Sequence, residues 1–141
     1  MKTLAKTLEF QTHKPLDFID ISHEVRDFAE TCGLKNAILI VASSHTTTAL
    51  VINEKCSELQ KDMLDFLTRI VPPQSDYRHN KVAVDGRPNT HSHLLSLFMS
   101  SQQSLILQDS KLQLGTWQSI FLVELDGPRE CRKVTLTLMG E

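Results

Sequence analysis

The order of hydrophobic and polar residues predicts two amphipathic helices in the first half of this 141-residue chain. The first begins at Ser22, interpreted as an N-cap, and ends at Gly33. The second starts with the capping-box pattern Ser57-x-x-Gln60 and ends before Pro72. In both, the apolar positions repeat at the spacing of one helical face. The residues expected to face the core are Val25, Phe28, Ala29 and Cys32 in the first helix and Leu59, Met63, Phe66, Leu67 and Ile70 in the second.

Alternating and β-branched apolar runs predict strands in the rest of the chain. The run 37–42 contains no polar residue and is expected to be buried on both faces. Asp109 and Ser110 are predicted to form the turn of a hairpin. The predicted strands are 3–12, 37–42, 49–52, 105–108, 112–114, 117–125 and a last one in which Val134, Leu136 and Leu138 alternate with threonines.

A long polar loop and a short helix separate the strand-rich parts. Residues 74–92 show little apolar periodicity, and Gly86 and Pro88 break regular structure, so a loop is predicted there. A third helix begins near Thr90 or Ser92. Because helices and strands are segregated rather than alternating, the chain is predicted to be one α+β domain over residues 1–141, with mainly antiparallel sheet. The inward residues of the third helix are expected to be Leu94, Leu95, Phe98 and Met99.

Composition and charge argue against several classes of protein. Lys and Arg total 15 and Asp and Glu total 17, which gives a formal net charge of −2. This balance argues against a general nucleic-acid coat, because such binding depends on surplus cations. No apolar stretch has the length of a signal peptide or a membrane span, and the three cysteines show no CxxC spacing. A cytoplasmic location without nucleic-acid or membrane partners is expected.

Four of the six histidines lie in polar stretches, and these are the candidate chemical groups. His91 and His93 lie with Asn89 where the loop becomes a helix, and a helix N-terminus favours anions and neutral imidazoles. Neutral imidazoles can be metal ligands or general bases. Because side chains at i and i+2 of a helix diverge, His91 and His93 can face one site only if the backbone there is extended. Both could instead be solvent-facing polar residues.

Three further motifs carry candidate residues. His45 lies in SSHTTT between two predicted strands, where hydroxyl and N–H groups could hold a phosphate or form only a polar turn. His79 lies in the cationic sequence YRHN, which suits a phosphorylated ligand but is also typical of a solvated loop. Arg129 follows the tight turn DGP, where it could grip a phosphate bidentately or pair with a neighbouring carboxylate.

The candidate residues lie in four longer motifs. In chain order these are SSHTTTALVINE at 43–54, YRHN at 77–80, NTHSHL at 89–94 and GTWQSIFLVELDGPR at 115–129. Through them the chain resembles the YjbQ-like family, whose members are often labelled secondary thiamine-phosphate synthase. The resemblance covers nearly the whole chain.

The resemblance implies a fold, an activity and a site. The fold is α+β, with two mainly antiparallel sheets in a sandwich-like arrangement and two or three flanking helices, assembled as a homotrimer. The activity is weak formation of thiamine phosphate from a hydroxymethylpyrimidine diphosphate and a thiazole phosphate, with loss of pyrophosphate. The implied polar site comprises His45, Thr46, Glu54, His79, Asn89, His91, His93, Trp117, Gln118 and Arg129.

Two departures from the family pattern make the mouth of the expected site more cationic. Arg87 and Pro88 precede Asn89 where relatives commonly carry acidic residues, and Arg78 replaces an acidic residue before His79. These arginines are expected to favour an anionic substrate and to weaken binding of a bare divalent metal such as magnesium.

Three functions are therefore considered. The first is a thiamine-phosphate-synthase-like enzyme acting on phosphorylated small molecules. In it His45, His79 and His93 bind a divalent metal, zinc or magnesium, or the diphosphate leaving group; Arg129 offsets negative charge. The second is a zinc-dependent hydrolase in which the same three imidazoles hold the metal and leave one position for water. The third is a non-catalytic trimeric protein that binds a small anionic metabolite.

Overall fold

Two antiparallel β-sheets form the framework of the protein in the computed structural model, which describes residues 1–141. The strands are β1 (Lys2–Thr12), β2 (Asp17–Asp20), β3 (Ala37–Ser43), β4 (Thr48–Asn53), β5 (Gln102–Gln108), β6 (Lys111–Leu112), β7 (Ser119–Glu124) and β8 (Arg129–Gly140), and the helices are α1 (Ser22–Thr31), α2 (Ser57–Ile70) and α3 (Thr90–Ser96). The large sheet has the order β1-β8-β3-β5-β6 and the small sheet the order β2-β7-β4. The predicted α+β class with two antiparallel sheets is confirmed.

The main hydrophobic core lies between the two sheets. Strand β8 shows the expected alternation, since Val134, Leu136 and Leu138 are fully buried while Thr135 and Thr137 on the opposite face are partly exposed. Helix α1 closes one side of this core. The main inward residues are Leu39, Val41, Val134, Leu136 and Leu138 from the large sheet, Leu50, Ile120 and Leu122 from the small sheet, and Val25 and Ala29 from α1.

The small sheet is buried on both faces, which explains the apolar character of β7. Ile120 and Leu122 contact the core between the sheets. Phe121 and Val123 point the other way and form a second cluster with residues of α2 and α3, among them Leu67. Because both faces are covered, polar groups of this sheet reach solvent mainly where its strands end.

Both predicted helix caps are wrong, because the serines concerned lie inside the helices. Helix α1 begins with Ser22, whose Oγ accepts the N–H of Ile120 at 2.8 Å, so a tertiary contact engages the hydroxyl. Helix α2 begins with Ser57, and its N-cap, Cys56, makes no side-chain cap hydrogen bond. Both helices are stabilised instead by the apolar faces that they bury.

Four residues predicted to be buried are exposed. Ile38 lies on the outward face of the large sheet, so β3 is buried on one face only. Helix α2 packs through a narrow stripe around Leu67, which leaves Phe66 and Ile70 at its margins. Phe98 follows the end of α3 and lies outside the second cluster.

The remaining segments follow the sequence prediction closely. The hairpin of β5 and β6 turns at Asp109 and Ser110, both of which have positive φ. The predicted loop 74–92 contains a short 3-10 turn, His79–Lys81, and α3 begins at Thr90. The sequence pattern missed β2, a strand of only four residues that pairs with β7. No helix is both long and apolar enough to cross a membrane.

Candidate functional site

The register of the small sheet separates two ends that carry different predicted residues. At one end Thr48 of β4 pairs with Glu124 of β7, and at the other Asn53 pairs with Ser119. We refer to the first as the histidine end, because His45 lies just before Thr48, and to the second as the tryptophan end, because Trp117 lies just before Ser119. The two ends are roughly 17 Å apart, at about 3.4 Å per strand residue.

A cavity of about 440 Å³ opens at the histidine end. His45 and His93 both line this cavity. The ring of His79 lies against that of His93, with centroids 5.1 Å apart and perpendicular planes. The structure thus gathers three histidines that are far apart in sequence. The other polar residues that line the cavity are Thr46, Thr48, Ser96 and Ser101.

The turn between β3 and β4 fixes the imidazole of His45. Its Nε2 accepts the backbone N–H of Lys133 at 2.9 Å. Burial lowers the pKa of His45, and the nearby Arg132 guanidinium lowers it further, so the ring is neutral at pH 7. A neutral imidazole that accepts at Nε2 carries its proton on Nδ1. His45 is therefore a hydrogen-bond donor through Nδ1–H.

A buried ion pair contacts the same turn. Arg132 donates to both carboxylate oxygens of Glu124, at 2.6 and 2.8 Å, and the side chains are 5% and 0% exposed. Arg132 Nη2 also donates to Oγ1 of Thr47 at 3.0 Å. Glu124 accepts two more hydrogen bonds, from the Thr12 hydroxyl and the Asp126 N–H, each 2.8 Å long. Burial raises the pKa of Glu124, but these hydrogen bonds lower it by more, so the carboxylate is ionised.

Asp126 organises a second charged cluster beside the first. Its carboxylate accepts from Arg87 Nη2 at 2.9 Å, from Arg129 Nη2 at 2.6 Å and from Asn89 Nδ2 at 2.8 Å. Burial raises the pKa of Asp126, but its bonds to Arg87 and Asn89 lower it by more. Arg129 therefore adopts the carboxylate pairing that was one of its two alternatives. Neither Arg129 nor Asn89 lines the cavity.

The pairing of Arg87 also reduces the positive charge that was expected at the opening of the site. Its guanidinium is bonded to Asp126, so it is not free to attract an anion. Arg78 is exposed and makes no salt bridge. Of the two arginines predicted to make the mouth more cationic, only Arg78 has an unpaired charge.

His91 lies apart from the other three histidines. Helix α3 begins before it, at Thr90, so the side chains of His91 and His93 diverge as their i and i+2 spacing requires. His91 lines a different cavity of about 250 Å³, together with Leu95 and Leu125. Burial lowers the pKa of His91, and its Nδ1 is buried without a hydrogen-bond partner.

Three other predicted residues lie at the tryptophan end. Glu54 is exposed immediately after β4, and Trp117 is 73% exposed. Gln118 Oε1 accepts the N–H of Gly115 at 2.8 Å and closes a turn before β7. Strand β7 begins at Ser119, so the prediction that it begins at Trp117 is wrong. Within one chain these residues do not join the cavity at the histidine end.

The residues at the histidine end do not fit a three-histidine metal centre. No three side chains of His, Cys, Asp or Glu are grouped so that they could hold a metal ion. His45 could coordinate through Nε2 only by giving up its hydrogen bond from Lys133. Coordination through Nδ1 would require loss of the Nδ1 proton while Nε2 still accepts that bond. The three imidazoles are therefore not arranged as ligands of one metal ion.

The sequence prediction missed Glu124 and Arg132 as members of this site. A signal for both was present in the strand alternation. Glu124 shares a face of β7 with Ile120 and Leu122, and Arg132 continues the inward register of Val134. Opposite charges at inward positions of two strands joined by a short turn predict a buried pair.

Acidification is expected to destabilise the protein between pH 7.5 and 5.5. The folded-state pKa values of His45 and His91 lie below their ordinary value of 6.5. The unfolded chain therefore binds more protons in this range, and the free energy of unfolding falls as the pH drops below 6.5. Each histidine contributes at most about 1.4 kcal/mol per pH unit.

Urea unfolding at pH 7.5, 6.5 and 5.5 tests this expectation. A His91→Gln variant should lose part of the decline, whereas His23→Gln, which changes an exposed histidine, should keep it. A free energy of unfolding that increases on acidification would contradict the assignment of two neutral, half-buried imidazoles.

Comparison with known proteins gives one consistent family. The family described as UPF0047 protein YjbQ-like matches residues 6–141. A UPF0047 protein of Methanothermobacter thermautotrophicus is 37% identical over 141 residues, which cover 100% of this chain and 95% of that protein. The UPF0047 protein YugU of Bacillus subtilis is 34% identical, with 97% of this chain and 100% of that protein covered.

Solved structures share the complete fold. A protein of unknown function from Sulfolobus solfataricus P2 superposes with a TM-score of 0.94 at 34% identity, covering 99% of both chains. A hypothetical protein from Aeropyrum pernix K1 superposes with a TM-score of 0.86 at 33% identity, covering 100% of both. The chain therefore belongs to the YjbQ-like UPF0047 family, as its motifs indicate.

Proposed function

We propose that this protein is an enzyme acting on phosphorylated small molecules, in a thiamine-phosphate-synthase-like transfer that releases pyrophosphate. The observation that carries the proposal is the shared cavity of His45 and His93, with the ring of His79 packed perpendicular to that of His93. Imidazole and hydroxyl groups are hydrogen-bond donors for phosphate oxygens. The cavity volume of about 440 Å³ falls in the range of small-molecule sites.

In this reaction the thiazole nitrogen attacks the methylene carbon of the hydroxymethylpyrimidine diphosphate. The new N–C bond forms, the C–O bond to the diphosphate breaks, and pyrophosphate leaves with the bonding electron pair. The protein's task is to stabilise the charge that develops on the leaving oxygens. The Nδ1–H of His45 and the imidazole of His93 are the proposed donors, and Thr46 orients the ligand.

Among the cations near the cavity, Lys133 supports an anionic ligand better than the arginines do. Besides burial, the charges of Arg132, Arg129 and Lys133 lower the pKa of His45, and that of Glu124 raises it. Arg132 and Arg129 are paired with Glu124 and Asp126, whereas Lys133 makes only an exposed contact of 3.8 Å with Glu9. No carboxylate lines the cavity itself. The Nδ1–H of His45 and the exposed ammonium group of Lys133 therefore favour an anion in the cavity.

Product formation with purified protein tests the proposed function. The wild-type protein should convert the two substrates to thiamine phosphate and release one pyrophosphate per product. A single-substrate incubation is the control, because hydrolysis of the diphosphate alone would release pyrophosphate or phosphate without product. Absence of product at saturating concentrations of both substrates would reject the transferase proposal.

The proposal includes a homotrimer formed through the outward face of the large sheet. Ile38 pairs in register with Ile106 on one side and with Met139 on the other, so an apolar row crosses three strands. Ile38 and Ile106 are 49% and 51% exposed in the single chain. Contiguous exposed apolar residues mark surfaces that proteins cover by association.

An Ile38→Lys substitution is expected to dissociate the trimer, because burying an unpaired ammonium group at an interface is unfavourable. Light scattering coupled to size-exclusion chromatography measures the mass. Val84→Lys is the matched control, since Val84 is exposed in the 74–89 loop and not on the sheet. A monomeric wild-type protein, or a trimeric Ile38→Lys variant, would contradict this assembly.

A further inference from the structure

We infer that Glu124 and Arg132 are positioning residues for His45. They hold the turn between β3 and β4 in place, so that Nε2 of His45 accepts the Lys133 N–H and its Nδ1–H is available to the ligand. The inference rests on the proposed function of the cavity at the histidine end. It concerns residues outside the cavity lining, which act through His45 rather than on the ligand. Three sets of hydrogen bonds support the inference: Glu124 with Arg132, Arg132 with Thr47, and Lys133 with His45.

The first contact anchors the guanidinium. Glu124 lies in β7 and Arg132 in β8, two strands that belong to different sheets. The bidentate pairing of their side chains fixes the plane of the guanidinium. The Thr12 hydroxyl and the Asp126 N–H occupy further acceptor positions on Glu124, so the carboxylate has no freedom to rotate.

The second contact passes from the guanidinium to the turn. Arg132 Nη2 donates to Oγ1 of Thr47 at 3.0 Å and to its carbonyl oxygen at 3.3 Å. The same carbonyl accepts the N–H of Leu125 at 3.1 Å. Thr47 lies two residues after His45, and it is buried. The backbone of the turn is therefore held from the side of β7 and β8.

The third contact sets the proton on the ring. Lys133 follows Arg132 in β8, so the residue that holds Thr47 is adjacent to the backbone N–H that binds His45 Nε2. A hydrogen bond of 2.6 Å between the hydroxyls of Ser43 and Thr48 closes the base of the turn. With Nε2 engaged, the neutral ring bears its proton on Nδ1, which makes no hydrogen bond within the chain.

Stability alone does not explain why a charged pair occupies this place. Replacement of a buried ion pair by well-packed apolar residues is often neutral or stabilising in proteins. The same strand faces are otherwise apolar, with Leu122 beside Glu124 and Val134 beside Arg132. In contrast, no apolar residue could replace the Arg132 guanidinium, which donates both to the Glu124 carboxylate and to the turn at Thr47.

The test uses Thr47→Val, which removes the Oγ1 acceptor of Arg132 and leaves the ion pair in place. Long-range ¹⁵N–¹H NMR spectra at pH 7.5 report which ring nitrogen of His45 carries the proton, and the signals are assigned by their loss in His45→Gln. The wild-type protein should show the Nδ1–H form. In Thr47→Val the Nε2–H form should appear alongside it, and turnover should fall roughly tenfold or more because the donor is misplaced. Thr7→Val, at an exposed position of β1, should show neither change.

Arg132→Lys provides a second variant, because lysine keeps the charge but cannot form the bidentate contact. The inference is overturned if wild-type His45 carries its proton on Nε2, or if folded Thr47→Val keeps the Nδ1–H form alone. The tautomer is measured without substrate. A protein that shows the expected tautomers but makes no thiamine phosphate would therefore reject the proposed function and retain the positioning role.

Discussion

Removal of one member of the Glu124–Arg132 pair is expected to cost about 3–5 kcal/mol of the free energy of unfolding. In a Glu124→Leu variant, the Arg132 guanidinium stays buried with no carboxylate to neutralise it, and the Thr12 hydroxyl and Asp126 N–H lose their acceptor. The cost is therefore mainly that of an uncompensated buried charge, not the net value of the pair. Urea unfolding at pH 7.5 measures it.

The double variant Glu124→Leu/Arg132→Met separates these two contributions. It removes both charges and should recover much of the lost stability. Lys61→Ala, which breaks an exposed pair with Glu58 on α2, is the matched control and should change stability little. A Glu124→Leu variant that unfolds at the same urea concentration as the wild type would show that the pair is not buried as described.

Substitution of His93 is expected to lower turnover roughly a hundredfold to a thousandfold in the proposed transfer, the size seen when one preorganised donor to developing negative charge is removed. His93 lines the cavity and also contacts the ring of His79. His93→Ala removes both the donor and the surface on which the His79 ring is packed. The rate of pyrophosphate release with both substrates present measures the effect.

His23→Ala is the control for this experiment, because His23 is exposed on α1 and lies outside the cavity. It should retain wild-type turnover. His45→Ala should lose activity to a similar extent as His93→Ala, since both imidazoles line the same cavity. Unchanged turnover in His93→Ala would reject the histidine end as the reacting site, even if the protein makes the product.

Most of the fold could be predicted because every helix, and every strand except β2, carries a local signal in the sequence. Strand β8 alternates cleanly between Leu or Val and threonine, and the hairpin turn at Asp109 and Ser110 needs residues that tolerate positive φ. The wrong predictions concern positions where a tertiary contact, and not the local sequence, determines the structure. The hydroxyl of Ser22 bonds to Ile120 of β7, a partner 98 residues away that no local capping pattern includes.

The candidate site was harder to predict because its residues meet through strand register. His45 and His93 face one cavity because the start of β4 lies beside α3, whereas His91, two residues from His93, faces another cavity. Glu54 and Trp117 share sequence motifs with site residues but lie at the opposite end of the small sheet. Motif membership therefore did not determine spatial proximity within the chain.

The buried ion pair connects the stability of the fold to the proposed chemistry. Glu124 and Arg132 bridge the two sheets and hold the turn that carries His45. Variants of this pair are therefore expected to change both the free energy of unfolding and turnover. Variants of His93, which has no comparable role in the core, should change turnover with little loss of stability.

A crystal structure of the wild-type protein soaked with pyrophosphate tests the central claim most directly. We expect pyrophosphate in the cavity at the histidine end, with one oxygen within hydrogen-bond distance of Nδ1 of His45 and another contacting the imidazole of His93. Pyrophosphate bound at the tryptophan end, or an empty histidine-end cavity at saturating pyrophosphate, would contradict it.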